Sequence, residues 1–229
     1  MLAAIALTPS APVLVPELAG AAEEAEPVRV AAIAAAAALP ARWIAVGTGA
    51  REQSYTDVRG SFAGYGADVE VALSPRSRPG IIEMPLCALV AGWLRGQARP
   101  EASVDMRVYD PGLDAHDAAD RGRALRALID RDDEAVGVLV VADGANTLTQ
   151  SAPGGFDPES EPVQAALDRA LATADTTALI RLPDRIVGRV AYQVLAGLAE
   201  STAWSVQEMY RGAPYGVGYF AGVWRPATA

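Results

Sequence analysis

The stretch from Val136 to Ala142 is a continuous apolar run rich in valine. Such a run is typical of a strand with both faces covered, because a strand with one wet face alternates apolar and polar residues. Strands covered on both faces belong mainly to parallel sheets that carry helices on each side. This one stretch therefore predicts an α/β fold built around a central parallel sheet.

Further strands and helices are predicted to alternate along the chain. The predicted strands lie at 2–7, 42–46, 68–73, 104–109, 136–142 and 218–224, and the predicted helices at 23–39, 85–94, 115–131, 157–174 and 187–200. The chain has 229 residues, of which 51% are hydrophobic, so it can bury a sizeable core. We expect one three-layer domain over residues 1–229, with a largely parallel central sheet and helices on both faces.

The charge and the apolar segments exclude some partners. The formal net charge is −9, whereas nucleic acids and anionic membranes require a basic face, so neither is expected as a partner. The apolar run at 30–39 is about half of the roughly 20 residues that a membrane span requires. The first residues lack the basic segment of a signal peptide, so a cytoplasmic protein is expected.

Cys87 is the single cysteine of the chain. With only one cysteine, the chain cannot form an intramolecular disulfide or a cysteine-based structural zinc site. Because it lies in a predicted apolar helix, we expect a buried, unreactive thiol rather than a nucleophile.

Three loops follow predicted strands, at 8–12, 47–54 and 143–155. Ligands of open α/β sheets bind at the carboxyl ends of the strands, so these loops are candidate pocket segments. Asp143 and Asn146 come directly after the valine-rich strand, where they could contact a ligand or cap the loop backbone in an Asx turn. Both interpretations remain open. The stretch Gly47-Thr48-Gly49-Ala50-Arg51-Glu52 lacks the third glycine of a dinucleotide-binding turn, which disfavours a nucleotide site.

His116 is the only histidine, and it is flanked by acids between a predicted strand and a predicted helix. A general base held in one tautomer would have such neighbours, but so would a surface histidine at the start of a helix. No Gly-x-Ser-x-Gly motif accompanies it, so the surface interpretation is favoured.

Two segments of the chain resemble pocket segments of the class III (LigB-type) extradiol dioxygenases and their Memo-like relatives. The first comprises Asp143-Gly144-Ala145-Asn146-Thr147-Leu148-Thr149 with Ala152-Pro153-Gly154-Gly155-Phe156-Asp157-Pro158, and the second is Ala213-Pro214-Tyr215-Gly216-Val217-Gly218-Tyr219-Phe220. The order and spacing of two further loops, Thr8-Pro9-Ser10-Ala11-Pro12 and Gly47-Thr48-Gly49, also follow that family. The resemblance covers nearly the whole chain and implies a LigB-like fold.

The resemblance also implies which residues surround the pocket. Ser10 and Thr48 stand where the family has its metal-binding histidines, and Asn146 stands where it has the acid/base histidine. The family's acidic residue is either Glu208 or absent, with Gly212 in its place, and Tyr215 lies in the matching carboxy-terminal segment. An iron(II) site of two histidines and one carboxylate cannot be formed from these side chains. The pocket is therefore expected to hold no metal or other cofactor.

The leading hypothesis is a bacterial pseudoenzyme of this superfamily that binds a small polar or aromatic molecule in the ancestral cleft. One alternative is a divergent, active extradiol dioxygenase that uses Fe(II) with an unrecognised set of ligands including His116. A hydrolase that uses His116 is a further enzymatic alternative. The non-enzymatic alternative is an assembly protein whose interaction surface lies near Trp93 or Trp204. Formation of a homo-oligomer is left open.

Overall fold

The computed structural model describes residues 1–20, 23–131 and 133–227. The strands are β1 (Leu2–Thr8), β2 (Arg42–Thr48), β3 (Gln53–Tyr55), β4 (Arg59–Ser61), β5 (Glu70–Ala72), β6 (Ser103–Tyr109), β7 (Val136–Val141), β8 (Trp204–Gly212) and β9 (Tyr219–Pro226). The α-helices are α1 (Pro16–Ala19), α2 (Glu26–Ala37), α3 (Leu86–Ala98), α4 (Ala115–Ile129), α5 (Ser160–Thr173), α6 (Thr176–Ile180) and α7 (Arg189–Ala199).

Seven strands form the central sheet in the order β3-β6-β2-β7-β1-β9-β8. The four inner strands β6, β2, β7 and β1 pair in parallel. The outer strands are antiparallel to their neighbours: β3 pairs with β6, β9 with β1, and β8 with β9. The prediction of an α/β fold with a mostly parallel central sheet is confirmed.

Residues along the inner strands alternate between two core clusters. In β2, Trp43 and Ala45 belong to one cluster, whereas Ile44 and Val46 belong to the other. Successive side chains of a strand point to opposite faces, so the two clusters lie on opposite faces of the sheet. Buried residues of α2 and α3 complete the first cluster, and those of α4, α5 and α7 complete the second. The finer assignment, a three-layer arrangement of the LigB type, stays a prediction.

Valine-rich β7 lies in the middle of the sheet, with all six residues buried. It pairs with β2 on one side and β1 on the other, as the two-sided burial inferred from its composition requires. Its position puts the loop that begins at Asp143 between the loops that follow β1 and β2.

Several elements differ from the sequence-based expectation. The predicted strand at 68–73 is shorter, and it lies outside the central sheet, where β4 and β5 form a separate antiparallel pair. Strand β8 was not expected, because Trp204–Gly212 is largely polar and partly exposed, as an edge strand can be. Strand β3 has only three residues, which gives no recognisable period. No helix among the described residues is long and apolar enough to cross a membrane.

Candidate functional site

The carboxyl ends of β2, β7 and β1 lie side by side in the sheet. Thr8, the last residue of β1, pairs with Val141, the last residue of β7, and the backbone N–H of Ala142 donates to the carbonyl of Thr8 at 3.0 Å. Thr48 ends β2 on the other side of β7. The structure therefore places three of the predicted site positions, Ser10, Thr48 and Asp143, at the same edge of the sheet.

Asp143 joins two of these loops directly. Its Oδ1 accepts a hydrogen bond of 2.8 Å from the backbone N–H of Ser10, so the contact of Ser10 with Asp143 is made by the main chain. Burial raises the pKa of the Asp143 carboxyl to about 7, and the bond from Ser10 only partly opposes this effect. Near neutral pH this carboxyl is therefore poised between its protonated and ionised forms.

The two glycine-rich segments lie against each other. The N–H of Gly144 donates to the carbonyl of Gly218 at 2.8 Å, and the N–H of Gly218 donates to the carbonyl of Ala145 at the same distance. A third bond, from the N–H of Leu148 to the carbonyl of Gly216, measures 3.0 Å. The segments that carry Asp143 and Tyr215 thus form one hydrogen-bonded unit.

Gln164 of α5 packs between these segments. Its Oε1 accepts from the backbone N–H of Ala145 at 2.8 Å, and its Nε2 donates to Asp168 at 2.8 Å. A Cβ atom at Gly144 would overlap the Gln164 amide, and so would one at Gly218. A larger residue at either position would displace the Gln164 amide from its hydrogen bonds to Ala145 and Asp168, so these contacts favour glycine at both positions.

Tyr215 carries a buried polar atom without a hydrogen bond. Its hydroxyl oxygen has no partner among the described residues. Burial raises the pKa of the neighbouring Tyr219, and the charges of Asp143 and Tyr215 add to this effect. Asp143 and Tyr215 are therefore both within electrostatic range of the Tyr219 hydroxyl. A buried hydroxyl without a partner is costly, so it usually binds a water molecule or a ligand group.

Asn146 lies in the same loop as Asp143. Its backbone carbonyl accepts from the N–H of Gly154 at 3.0 Å, and its side-chain oxygen would lie 2.7 Å from a Cβ at Gly154. The Asn146 side chain therefore packs closely over Gly154, which helps to shape the loop. Its role toward a ligand stays a prediction.

Glu208 lies apart from the other predicted site residues. It is on edge strand β8, which is separated from β7 by β1 and β9, a distance of about 14 Å at ordinary strand spacing. Its Oε1 is 3.3 Å from the guanidinium of Arg211. The structure thus brings together Ser10, Thr48 and Asp143 and leaves Glu208 at the outer edge of the sheet.

His116 and Cys87 lie where the favoured interpretations expected them. The His116 side chain is 82% exposed in the first turn of α4, and its Nε2 is 3.4 Å from Asp120. Cys87 is buried in α3, and burial raises the pKa of its thiol to about 12. Trp93 is also buried, so this side chain offers no exposed surface to a partner.

The side chains around Asp143 provide one carboxylate together with hydroxyl and phenol groups. Within residues 1–20, 23–131 and 133–227, no group of three His, Cys, Asp or Glu side chains is arranged to hold a metal ion. The donor set near Asp143 does not fit the field of two imidazoles and one carboxylate that iron(II) has in such dioxygenases.

Comparisons with known proteins bear on the fold alone. No protein-family model matches the chain, and no curated protein matches it either. One solved structure that is similar is the crystal structure of an uncharacterized protein from Escherichia coli, with a TM-score of 0.56 and 10% sequence identity. The match covers 97% of this chain and 99% of that one. At this identity the likeness supports a shared mixed α/β architecture over the whole length.

Proposed function

We propose that this protein is a LigB-type, three-layer α/β protein that binds a small polar or aromatic molecule beside Asp143 and Tyr215 and has no ring-cleaving activity. The observation that carries the proposal is the buried Tyr215 hydroxyl, which has no partner among the described residues. A bound molecule with a polar group at this point would satisfy that hydroxyl and so recover the cost of its burial.

Asp143 suits such a molecule because its charge can change. With a pKa of about 7, the carboxyl can donate a hydrogen bond when protonated and only accept when ionised. A ligand with a hydroxyl or amine would favour the ionised form, and a ligand with a carbonyl or carboxylate would favour the protonated form. We therefore expect ligand affinity to vary with pH between about 6 and 8.

The absence of ring cleavage is inferred from the donor set. Ser10 contacts Asp143 through its backbone, and the only histidine is exposed on α4. Neutral hydroxyls are weak ligands for a divalent transition metal, so these residues support binding better than oxygen activation.

The test is a thermal-shift screen of catechol, benzoate, glutarate and adenosine against the full chain. A ligand at 100 times its dissociation constant adds about 2.7 kcal/mol to the stability of the folded state. The shift should be lost in Tyr215→Phe, which removes only the hydroxyl, and retained in the control Tyr65→Phe, an exposed tyrosine in the 3-10 helix Phe62–Tyr65. A shift that survives in Tyr215→Phe would place the ligand elsewhere and contradict the proposal.

Enzymatic alternatives are separated by a second measurement. The protein is loaded anaerobically with ferrous iron, and oxygen uptake is followed after addition of catechol. We expect no uptake above the rate of iron in buffer. Uptake that is abolished in His116→Ala would overturn the proposal in favour of a divergent dioxygenase.

A further inference from the structure

A cavity lies at the β3–β6 side of the central sheet, where β2 separates β6 from β7. It has a volume of about 410 Å³ and lies between β3, β6 and α4. This volume is within the range of about 300–1,000 Å³ that is usual for small-molecule sites. Its wall combines two arginines with a stripe of apolar residues from α4.

The polar side of the cavity is formed by Arg107 and Arg121. Arg107 donates to the Ser54 hydroxyl at 3.1 Å and to Asp105 at 2.6 Å, but its Nε is buried without a partner among the described residues. Arg121 contacts Glu52 through one nitrogen, at 3.3 Å. Both guanidinium groups thus retain donors that could bind an acceptor in the cavity.

The hydroxyl of Tyr109 lies near both arginines. Burial raises the pKa of this tyrosine, whereas the charges of Arg107 and Arg121 lower it and those of Glu52 and Asp105 raise it. All four charged groups are therefore close enough to act on one phenol. Asp105 pairs with Arg107 and Glu52 pairs with Arg121, so both guanidinium charges are already partly neutralised, which suits a singly charged anion better than a dianion such as phosphate.

The opposite wall of the cavity is apolar. Ala124, Leu125 and Leu128 follow Arg121 along α4 at spacings of three, four and seven residues, which puts them on one face of the helix. Leu128 is 48% exposed, so part of its side chain is open to the cavity. An apolar group inside the cavity would cover it.

We propose that this cavity binds a small carboxylate with an apolar body, with the carboxylate against Arg107 and Arg121 and the apolar part against Leu125 and Leu128. This site is independent of the one beside Asp143 and uses none of its residues. The carboxylate accepts from terminal N–H groups of the two arginines that Ser54, Asp105 and Glu52 do not use, and the planar guanidinium groups match its geometry.

The test is a titration of the ¹⁵N-labelled full chain with sodium hexanoate, followed by amide chemical shifts. We expect saturable shifts centred on residues 52–54, 107–109 and 121–128. Two further probes, 1-hexanol and sodium phosphate, should bind more weakly by about tenfold or more, because each lacks one half of the interaction. Equal binding of hexanol would contradict recognition of the carboxylate, and equal binding of phosphate would contradict the apolar contact.

Variants assign the binding to the cavity. Arg121→Gln should weaken hexanoate binding by about tenfold or more. Arg123→Gln removes the same charge from the same helix, but Arg123 pairs with Asp120 and Glu200 away from the cavity, so its affinity should stay within about twofold. Leu128→Glu is a second variant, at an exposed position, and should weaken hexanoate binding at least as much, because it puts a negative charge on the apolar wall. Absence of saturable shifts in the unmodified chain, or unchanged affinity in Arg121→Gln, would overturn the proposal.

Discussion

Replacing Asp143 by asparagine should make the protein more stable at alkaline pH and leave its stability unchanged in acid. The carboxyl has an ordinary pKa of 3.8 and a pKa of about 7 in the folded chain. An acid whose pKa rises on folding holds its proton more tightly in the folded state. Folding is therefore opposed progressively as the pH rises above about 4, and the loss is complete above about pH 7.

The size of the effect follows from the two pKa values. A difference of about three pH units corresponds to about 4 kcal/mol of unfolding free energy lost between pH 4 and pH 8. This is an upper value, since local rearrangement or water entry would reduce it. The amide introduced by Asp143→Asn keeps an oxygen that accepts from the Ser10 N–H, so the substitution removes the charge while preserving the hydrogen bond.

The assay is urea unfolding followed by tryptophan fluorescence, at several values between about pH 4 and pH 8. The difference in unfolding free energy between Asp143→Asn and the unmodified chain should be near zero in acid and should grow to a few kcal/mol at pH 8. Effects of all other titrating groups cancel in this difference.

Asp157→Asn is the matched control. The Arg185 guanidinium beside Asp157 holds the pKa of that carboxyl below its usual range, which is the opposite direction. Its replacement should therefore not stabilise the protein at pH 8. If the difference between Asp143→Asn and the unmodified chain is the same at every pH, the reasoning about burial of the Asp143 carboxyl is refuted.

Two more predictions concern the packing around Gly218 and the reactivity of the buried Cys87 thiol. Gly218→Ala should lower the unfolding free energy in the urea assay by about 1–3 kcal/mol, because its Cβ would overlap the Gln164 amide. The control Gly64→Ala has open space around the new Cβ and should change the unfolding free energy by less than about 0.5 kcal/mol. Cys87 should not react with Ellman's reagent at pH 8 in the folded chain, because the thiol is buried and its pKa is raised to about 12. It should react fully in urea, and rapid labelling without urea would contradict the prediction.

The buried strands and helices could be predicted from the sequence because their apolar composition reflects their buried surroundings. The run from Val136 to Ala142 predicted a doubly covered strand, and the structure has β7 at Val136–Val141 in the middle of the sheet. Helices α3, α4, α5 and α7 were predicted close to their observed bounds because their apolar residues recur at helical spacing. Edge elements were missed because partly exposed strands such as β3 and β8 have no strong apolar pattern.

The candidate site was predictable only as a set of loops. Strand alternation and the rule that ligands bind at carboxyl strand ends place Ser10, Thr48 and Asp143 at one edge. Glu208 was grouped with them from the family resemblance, and the position of β8 at the rim of the sheet separates it from them. Order along the chain does not specify which strand lies beside which.

The sequence by itself determined the class of fold, the burial of Cys87 and the loops that carry polar side chains, because each depends on local composition and period. Only the tertiary structure decided that the Gly144 and Gly218 segments lie around Gln164, that the Asp143 carboxyl has a pKa of about 7, and that the Tyr215 hydroxyl has no partner among the described residues. These properties arise from burial and from contacts between residues that are far apart in the chain. Local sequence patterns do not specify which distant segments come into contact or how deeply an individual polar group is buried.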